Sequence, residues 1–490
     1  MYHMSDNLSD NLKFIHTADI HLGRPVKHGG NPPKRIEELF NQAGLKACRL
    51  MAAAAVAEEV DFLLISGDLY DRRARSVKAS RFLRDLFAEL KREGIAVYII
   101  SGNHDPGGVE NEPFELPDNV KIFAQDGAEM IRHPEFMERN KPDEAELPSQ
   151  EKKSRARVLG QSYRSRFEER SMYRYFTVPD QARYNIGMLH TQLTADSSRY
   201  VPVSKSDLRN KSDIHYWALG HLHRPQVLNL KPPAVVFPGT PQAHSIGERG
   251  LKGCFLVEGD PEYPSRSTNI NFIPTSPVIF QRLVVDISTE GEKGDKTIET
   301  LTDLKERLKK RARKFMALKN EDRMDFPGSS RVNLLEPESC WFSGKKIKPG
   351  RAFIVRWVVE GRGPVHRYIK DNSAEAAAEL INELNRVFAD PGRETILWSK
   401  SLQFHTGPEL PPHTELRENE LYDRVEKILA EIEEDEELKK ELLSEWGEIW
   451  QGSEEPEERR GDRFYPDEET RREILRAARR EIITLLFDSD

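Results

Sequence analysis

The chain has 490 residues and a formal net charge of −8, with 74 Lys or Arg against 82 Asp or Glu. A single hydrophobic core does not grow to that length, so roughly two or three domains are expected. The three cysteines lie far apart and exclude a disulfide framework or a thiolate metal site. No apolar run approaches the ~18 residues that cross a membrane, and the first residues lack the features of a signal peptide, so we expect a cytoplasmic protein with no membrane partner.

The negative charge is concentrated at the end of the chain. Residues 415–490 hold 26 Asp or Glu and 13 Lys or Arg, a balance of −13 that leaves +5 on the first 414 residues. Basic stretches at 152–157 and 305–314, together with Arg164 and Arg166, could contact phosphates. A solvated helix face explains the 305–314 stretch equally well.

Five short apolar runs predict buried strands, at 14–15, 62–65, 97–100, 186–189 and 217–219. Between the first three runs, apolar residues recur at helical spacing over 34–57 and 75–92. Strands that alternate with helices in this way are typical of an α/β fold.

Side chains that can bind a metal ion follow each of these strands. They lie in Asp19-Ile20-His21, Gly67-Asp68-Leu69-Tyr70-Asp71, Gly102-Asn103-His104-Asp105, His190 and Gly220-His221-Leu222-His223. Ligand sites of α/β sheets collect beyond the carboxyl ends of the strands, so these scattered motifs are expected to converge in space. Each motif alone is most often a turn, a cap or a hydrogen-bonded histidine, but five such motifs after five strands predict a metal site.

The residue types indicate which metals are suitable. The carboxylate, amide and imidazole ligands suit Mn²⁺, Fe²⁺ or Zn²⁺, and they differ from the thiolates of a structural zinc site. Asp68, at the end of the second strand, is the natural carboxylate to bridge two ions. We expect Gly67, Gly102 and Gly220 to let the backbone turn sharply and bring the ligands together.

The order of these motifs resembles that of the calcineurin-like metallophosphoesterase family, over about residues 13–260. The resemblance implies a two-sheet β-sandwich flanked by helices that holds two divalent metal ions. Carried over by position, one ion is held by Asp19, His21, Asp68 and His223, and the other by Asp68, Asn103, His190 and His221. Such a pair of ions activates water and neutralises a phosphate, which implies a metal-dependent phosphodiesterase.

Further blocks narrow the resemblance to members that process DNA. Residues 16–23 and 67–72 resemble the SbcD-type nucleases, and residues 217–223, 237–241 and 247–254 resemble the YhaO-type DNA-repair exonucleases. The implied function is a DNA exonuclease on duplex ends, with endonuclease action on single-stranded or hairpin DNA. It would act in DNA repair with an SbcC-like coiled-coil ATPase of the SMC family. Mn²⁺ is the expected metal, with Fe²⁺, Zn²⁺ or Mg²⁺ as alternatives.

The same resemblance implies roles for residues beside the ligands. His104 matches the residue that protonates the leaving oxygen, although it could instead hydrogen-bond a ligand. Asp71 stands where some relatives carry a phosphate-positioning histidine, so it either positions phosphate or caps and pairs with Arg72 or Arg73. Asp105 is expected to orient an imidazole from outside the ligand set, with a plain turn residue as the alternative.

Other features of the first region have both functional and structural interpretations. The helices at 34–57 and 75–92 resemble the pair through which relatives form a homodimer, and the run Ala52–Ala55 would allow close approach. A helix face that packs on its own sheet has the same pattern. His16 is expected to be packed inside the first strand, and His244 to lie on a surface loop.

We predict four regions: an N-terminal extension at 1–12, a nuclease domain at 13–275, a smaller α+β capping or DNA-binding domain at 276–410 and an acidic helical tail at 411–490. Strands at 278–286 and 352–359, with helices near 298–317 and 373–389, support the capping domain. Apolar stripes at 421–432 and 474–486 predict tail helices that either bind the ATPase or fold back on the capping domain.

Two other functions fit part of the sequence. The metal site alone would serve a phosphodiesterase or phosphatase that acts on a small nucleotide or a lipid phosphoester, but such enzymes seldom need the long region that follows. A non-catalytic scaffold usually loses ligands, whereas the predicted set is complete.

Overall fold

The computed structural model describes residues 11–71, 76–107, 114–134, 155–179, 183–194, 199–266, 268–288, 297–336, 340–342, 344–347, 351–409, 420–435, 437–438, 474–475, 478–479 and 482–483. The chain forms two compact units. Unit one comprises Met1–Gln281, Leu318–Ile354 and Pro391–Ile396, and unit two comprises Arg282–Ala317, Val355–Asp390 and Leu397–Asp490. The chain therefore passes between the units several times, whereas the sequence predicts contiguous domains.

Unit one contains a seven-stranded sheet with helices between its first strands. Its strands are β1 Leu12–Thr17, β2 Phe62–Ser66, β3 Ala96–Ile100, β4 Val120–Ile122, β11 Gly253–Gly259, β12 Asn269–Pro274 and β14 Asn333–Leu334. Their order is β14-β12-β11-β1-β2-β3-β4. Strands β1 to β4 run parallel to one another, and β11 is antiparallel to β1 and to β12.

A second sheet of unit one has six strands. They are β5 Glu129–His133, β6 Ala156–Gly160, β7 Tyr184–His190, β8 Tyr216–Gly220, β9 Gln226–Asn229 and β10 Ala234–Phe237, and the short helix α4 Lys205–Asn210 precedes β8. Their order is β5-β6-β7-β8-β10-β9. Strands β6, β7 and β8 are parallel, as are β8 and β10.

The two sheets face each other across an aromatic interior. The ring of Phe14 lies 5.3 Å from that of Tyr216, centroid to centroid. His16 is fully buried, and its Nδ1 lies 2.9 Å from the Tyr216 hydroxyl oxygen. The hydroxyl of Ser66 donates to the carbonyl oxygen of Ala218 at 3.1 Å. The predicted sandwich and the packed position of His16 are both confirmed.

Helices cover the other face of the seven-stranded sheet. The predicted helix at 34–57 is two helices, α1 Lys34–Asn41 and α2 Ala43–Ala57, that meet at Gln42, and α3 spans Val77–Arg92. Residues Ala52 to Ala55 of α2 are buried in the core with Leu63 and Ile65 of the sheet. The alanine run is therefore internal and offers no exposed face for close approach to a second copy.

Parallel pairing aligns the strand ends that position the site. Thr17 of β1 pairs with Ile65 of β2, and Ser66 of β2 pairs with Ile100 of β3. In the other sheet, His190 pairs with Gly220. The predicted ligand motifs thus begin at adjacent strand ends in each sheet.

The remaining elements include a three-stranded sheet, a two-stranded hairpin and three helices. The three-stranded sheet has the order β13-β17-β18, with β13 Val278–Asp286, β17 Arg351–Arg362 and β18 Thr395–Gly407, and strands β15 Cys340–Phe342 and β16 Lys345–Ile347 form a hairpin. Helices α5 Leu301–Met316 and α6 His366–Phe388 belong to unit two, as does α7 Glu420–Glu434 of the tail. An ion pair of 2.9 Å between Lys305 and Glu379 links α5 to α6. Within the described residues, no helix has the length and apolar character needed to cross a membrane.

Candidate metal centre

The loops that follow β1 and β2 are joined by backbone hydrogen bonds. The N–H of Asp19 donates to the carbonyl oxygen of Gly67 at 3.0 Å, and the N–H of His21 donates to that of Asp68 at 3.0 Å. Asp19, His21, Asp68 and His221 have φ angles of 52°, 44°, 52° and 100°, in the left-handed region that non-glycine residues rarely adopt. Strained residues of this kind are concentrated at functional sites, and here they are four of the predicted ligands.

Asp68 lies at the centre of the predicted ligand set. Its Oδ2 is 3.6 Å from Nε2 of His21 and 3.5 Å from Nε2 of His190. Its Oδ1 accepts the backbone N–H of His104 at 2.9 Å. One carboxylate oxygen therefore faces a histidine from each predicted ion position, which is the placement that a bridging ligand requires.

Asp19, His21 and His223 form a first cluster, in which one ligand atom of each residue lies within 4.8 Å of the others. Nε2 of His21 is 3.0 Å from Nε2 of His223. The carboxylate of Asp19 accepts the backbone N–H of His221 at 3.0 and 3.1 Å, so the loops after β1 and β8 hold each other in position.

The second cluster is centred on the side-chain amide of Asn103. Oδ1 of Asn103 lies 2.9 Å from Nε2 of His190 and 3.1 Å from Nδ1 of His221. Asp19 and Asp68 also bring ligand atoms within 4.8 Å of His190, so Asp19 lies near both clusters rather than only the first. The fold thus brings all seven predicted ligands together.

The donors and acceptors in this centre do not balance without a cation. Nδ1–H of His190 donates to the carbonyl oxygen of Ser66 at 2.9 Å, so in the neutral imidazole Nε2 carries a lone pair. That lone pair faces Oδ1 of Asn103 and Oδ2 of Asp68, which are also acceptors. Acceptors held this close need a proton or a metal ion between them, and carboxylate, amide and imidazole donors suit Mn²⁺, Fe²⁺ or Zn²⁺. The residues present therefore fit two divalent ions.

Burial and the neighbouring carboxylates together set the ionisation of the groups in this centre. Burial alone would lower the pKa of His190, but the carboxylates of Asp68 and Asp19 outweigh it and raise that pKa to about 9. Burial raises the pKa of Asp19 to about 6. Burial also lowers the pKa of His21 and His221 well below the usual value. A proton on His190 thus supplies positive charge that a bound metal would replace, while neutral His21 and His221 present lone pairs.

Glu248 belongs to the centre, although the sequence pattern did not single it out. Its Oε1 accepts from Nδ1–H of His223 at 2.6 Å, and its Oε2 accepts the backbone N–H of His244 at 2.6 Å. Burial alone would raise the pKa of Glu248, but His223 holds it well below its usual range. The buried Lys252 donates from Nζ to the carbonyl oxygen of His223 at 3.0 Å. Glu248 therefore fixes the tautomer in which Nε2 of His223 presents a lone pair to a metal.

We expect Glu248→Gln to weaken Mn²⁺ binding about tenfold, because the neutral amide holds the His223 imidazole less strongly than a carboxylate does. Isothermal titration calorimetry of the wild type and the variant measures this. Glu258→Gln is the matched control, since Glu258 forms a partly exposed ion pair with Lys13 at the far end of β11. Equal affinities for the wild type and Glu248→Gln would show that Glu248 does not position a ligand.

His104 and Asp71 lie beside His21. The rings of His21 and His104 are 4.7 Å apart, centroid to centroid, with an interplanar angle of 88°. One ligand atom of each of His21, Asp71 and His104 lies within 4.8 Å of the others. His104 and Asp71 are partly exposed, whereas His21 is buried. Asp71 therefore lies close to the His104 imidazole; Arg72 and Arg73, its alternative partners, lie outside the described residues.

Asp105 contacts backbone amides rather than the imidazole that the sequence predicts as its partner. Its Oδ2 accepts the N–H of Leu69 at 2.7 Å, and its Oδ1 accepts the N–H of Gly102 at 2.8 Å. The loops after β2 and β3 direct these N–H groups toward the short Asp105 side chain, which is why the carboxylate bonds to them. Asp105 thus ties the loop that carries Asp68 to the loop that carries Asn103.

His244 is buried, so its predicted position on a surface loop is wrong. Only 1% of its surface is exposed, and its ring centroid lies 6.3 Å from that of His21. Its carbonyl oxygen accepts the N–H of Lys27 at 2.8 Å, and Glu248 holds its own N–H. These bonds draw the loop inward, so that His244 packs beside the ligand His21.

Gly102 and Gly220 lack a side chain where neighbouring atoms of the metal centre approach the backbone closely. A Cβ atom on Gly102 would clash with Oδ1 of Asp68, and one on Gly220 would clash with the carbonyl oxygen of Ser66. Of the three glycines predicted to form sharp turns, only Gly67 has a positive φ, of 96°. Close approach of the loops therefore explains the other two.

Residues 12–225 match the calcineurin-like phosphoesterase family. The uncharacterized metallophosphoesterase YhaO of Bacillus subtilis is 37% identical over 306 residues, which cover 61% of this chain and 69% of that protein. The DNA double-strand break repair protein Mre11 of Archaeoglobus fulgidus is 23% identical over 351 residues, which cover 66% of this chain and 71% of that protein. SbcD, a component of the nuclease SbcCD of Bacillus subtilis, is 22% identical over 280 residues, 51% of this chain and 67% of that protein.

The matched segment contains every predicted ligand, from Asp19 to His223. Its two facing sheets, flanking helices and clusters of carboxylate, amide and imidazole groups agree with the family that the motif order resembles. The chain belongs to the calcineurin-like metallophosphoesterase family.

Proposed function

We propose that the chain is a DNA nuclease that hydrolyses phosphodiester bonds with two divalent metal ions, and that the metal in use is Mn²⁺. The observation that carries this proposal is the Asp68 carboxylate between two clusters of ligand atoms, with His104 at their side. One ion would be held by Asp19, His21, Asp68 and His223, and the other by Asp68, Asn103, His190 and His221.

Bound ions would supply Lewis acidity, which lowers the pKa of water and neutralises the phosphate oxygens. The chain positions and protonates the substrate. His104 is partly exposed beside His21, where its imidazole can give a proton to the leaving oxygen. A carboxylate oxygen of Asp71 lies within 4.8 Å of a ring nitrogen of His104. We assign Asp71 the role of orienting that imidazole in preference to contact with phosphate, because two anions repel each other.

Several observations support DNA rather than a small phosphoester as the substrate. Two of the relatives are named for DNA double-strand break repair and for nuclease activity. The first 414 residues carry a net charge of +5, which favours a polyanion. A second unit with its own helices adds surface that a mononucleotide does not need. We propose exonuclease action on duplex ends and endonuclease action on single-stranded or hairpin DNA, in DNA repair.

The tail supports a protein partner. On α7, Leu421 and Ile428 are 63% and 47% exposed, which is unusual for large apolar side chains. Glu426 of α7 pairs with Arg479 at 2.5 Å, so the two predicted tail segments contact each other. We propose that the exposed apolar face of α7 binds a coiled-coil ATPase. We also propose a homodimer, which would form through exposed residues of the helical layer, since the alanine run of α2 is buried.

The test is a panel of substrates with the purified protein and Mn²⁺. We expect cleavage of linear duplex, single-stranded and hairpin DNA, with weaker hydrolysis of cyclic nucleotides and mononucleotide esters. Hydrolysis of only the small esters would contradict the nuclease proposal and favour the small-phosphoester alternative.

A further inference from the structure

A row of aromatic rings runs from the metal centre to the protein surface. The ring of Tyr200 lies 4.6 Å from that of His221, at an interplanar angle of 33°. The ring of Phe167 follows, 6.0 Å from that of Tyr200. Phe167 is 37% exposed. A predicted ligand is thus connected, through a tilted tyrosine, to an aromatic side chain that remains accessible to solvent.

Two guanidinium groups lie over the exposed ring. The Cζ atom of Arg166 is 5.6 Å from the ring centroid of Phe167, and that of Arg199 is 5.3 Å from it. Arginine beside an aromatic ring suits a nucleotide in two ways, because the ring stacks on a base and the cation attracts a phosphate. Neither side chain belongs to the predicted ligand set.

Backbone hydrogen bonds hold the two segments that carry these side chains together. The N–H of Glu168 donates to the carbonyl oxygen of Arg199 at 2.7 Å, and the N–H of Val201 donates to that of Glu168 at 2.6 Å. The side chain of Glu168 is buried and is fixed by Arg170 at 2.5 Å. Backbone hydrogen bonds between two segments therefore fix the positions of the Phe167 and Tyr200 rings.

The same segments are joined to the loop that follows the ligand His190. The N–H of Gln192 donates to the carbonyl oxygen of Tyr200 at 3.3 Å. The hydroxyl of Thr191 donates to the carbonyl oxygen of Val201 at 2.8 Å. A base that stacked on Phe167 would therefore be held at a defined position relative to the metal centre.

We propose that Phe167 and Tyr200, flanked by Arg166 and Arg199, form a stacking site for an unpaired nucleobase of the DNA strand being cleaved. The site rests on the proposed nuclease function. It adds a preference for a substrate in which the nucleotide beside the scissile phosphate has an unpaired base. Stacking accepts any base, because every base has a π face, so this preference is for single-stranded character and not for sequence.

The test compares cleavage of a single-stranded oligothymidylate with cleavage of an oligomer of equal length built from abasic tetrahydrofuran phosphates. The full chain with Mn²⁺ is expected to cleave the base-bearing strand with about tenfold higher kcat/KM. Phe167→Ala and Phe167→Leu should lose most of that tenfold ratio, and Phe167→Trp should retain it, since indole also stacks. Hydrolysis of bis(4-nitrophenyl) phosphate is measured in parallel.

Tyr263→Ala is the matched control. Tyr263 is also an exposed aromatic residue with a guanidinium over its ring, that of Arg266 at 3.9 Å. It follows Gly259, which pairs with the first residue of β1 and so lies at the end of the sheet away from the metal centre. We expect Tyr263→Ala to keep the tenfold ratio.

Two results would overturn the stacking site. The wild type could cleave both strands equally well, or the Phe167→Ala variant could keep the wild-type ratio, either at full activity or with an equal loss on both strands. A wild type that hydrolyses bis(4-nitrophenyl) phosphate but neither oligomer would overturn the proposed nuclease function itself, and the stacking site with it.

Discussion

Asp68→Asn is expected to lower kcat/KM for phosphodiester hydrolysis by about 10³-fold or more. The carboxylate of Asp68 faces His21 and His190 at 3.6 and 3.5 Å, and it is the only predicted ligand assigned to both ions. Its amide counterpart keeps the size but loses the charge, so we also expect the variant to bind fewer than two Mn²⁺ ions per chain. Steady-state hydrolysis of bis(4-nitrophenyl) phosphate measures the first effect, and metal analysis of the dialysed protein measures the second.

Asp85→Asn is the control for Asp68→Asn. Asp85 lies on α3 in an exposed ion pair with Arg84 of 2.7 Å, so the substitution removes the same charge from an exposed position outside the predicted ligand set. Its activity and metal content should equal those of the wild type. A wild-type rate for Asp68→Asn, in protein whose melting temperature is unchanged, would show that Asp68 does not bridge the ions.

His104→Ala is expected to lower kcat about 10²- to 10³-fold while both ions remain bound. The reason is geometric, because His104 lies 4.7 Å from His21 but is not among the predicted ligands. The loss should be smaller on an ester whose leaving group is a weak base, such as 4-nitrophenolate, than on DNA, since that leaving group needs no proton. Pre-steady-state and steady-state rates on both substrates measure the difference.

His405→Ala is the control for His104→Ala, because His405 is an exposed histidine on β18. Loss of bound metal in His104→Ala would mean that His104 supports a ligand instead of transferring a proton. An equal loss on DNA and on the 4-nitrophenyl ester would also contradict the assigned role.

The ligand motifs could be predicted from sequence because each one follows an apolar strand. Parallel pairing forces the ends of such strands to one edge of the sheet, so Asp19 and Asp68 converge whatever the intervening loops do. The helices can also be predicted from sequence, because their apolar residues recur at helical spacing. The break between α1 and α2 at Gln42 cannot. A backbone conformation at one residue leaves no periodic signal.

The supporting contacts could not be predicted in this way. Glu248 reaches His223 from 25 residues further along the chain, through a loop whose path depends on its own internal hydrogen bonds. Asp105 follows His104 directly, and its sequence position alone does not distinguish an imidazole partner from backbone N–H groups. The sequence places His244 in a loop but does not show whether that loop is exposed. The fold of the loop buries His244 beside His21.

We propose that the seven predicted side chains form one centre for two metal ions, and the most direct test is the number of Mn²⁺ ions that the chain binds. Chelator-treated protein, titrated with Mn²⁺ in a calorimeter, is predicted to take up two ions per chain and to regain phosphodiesterase activity as the second ion binds. Uptake of one ion or none, or full activity in the chelator-treated protein, would contradict the claim.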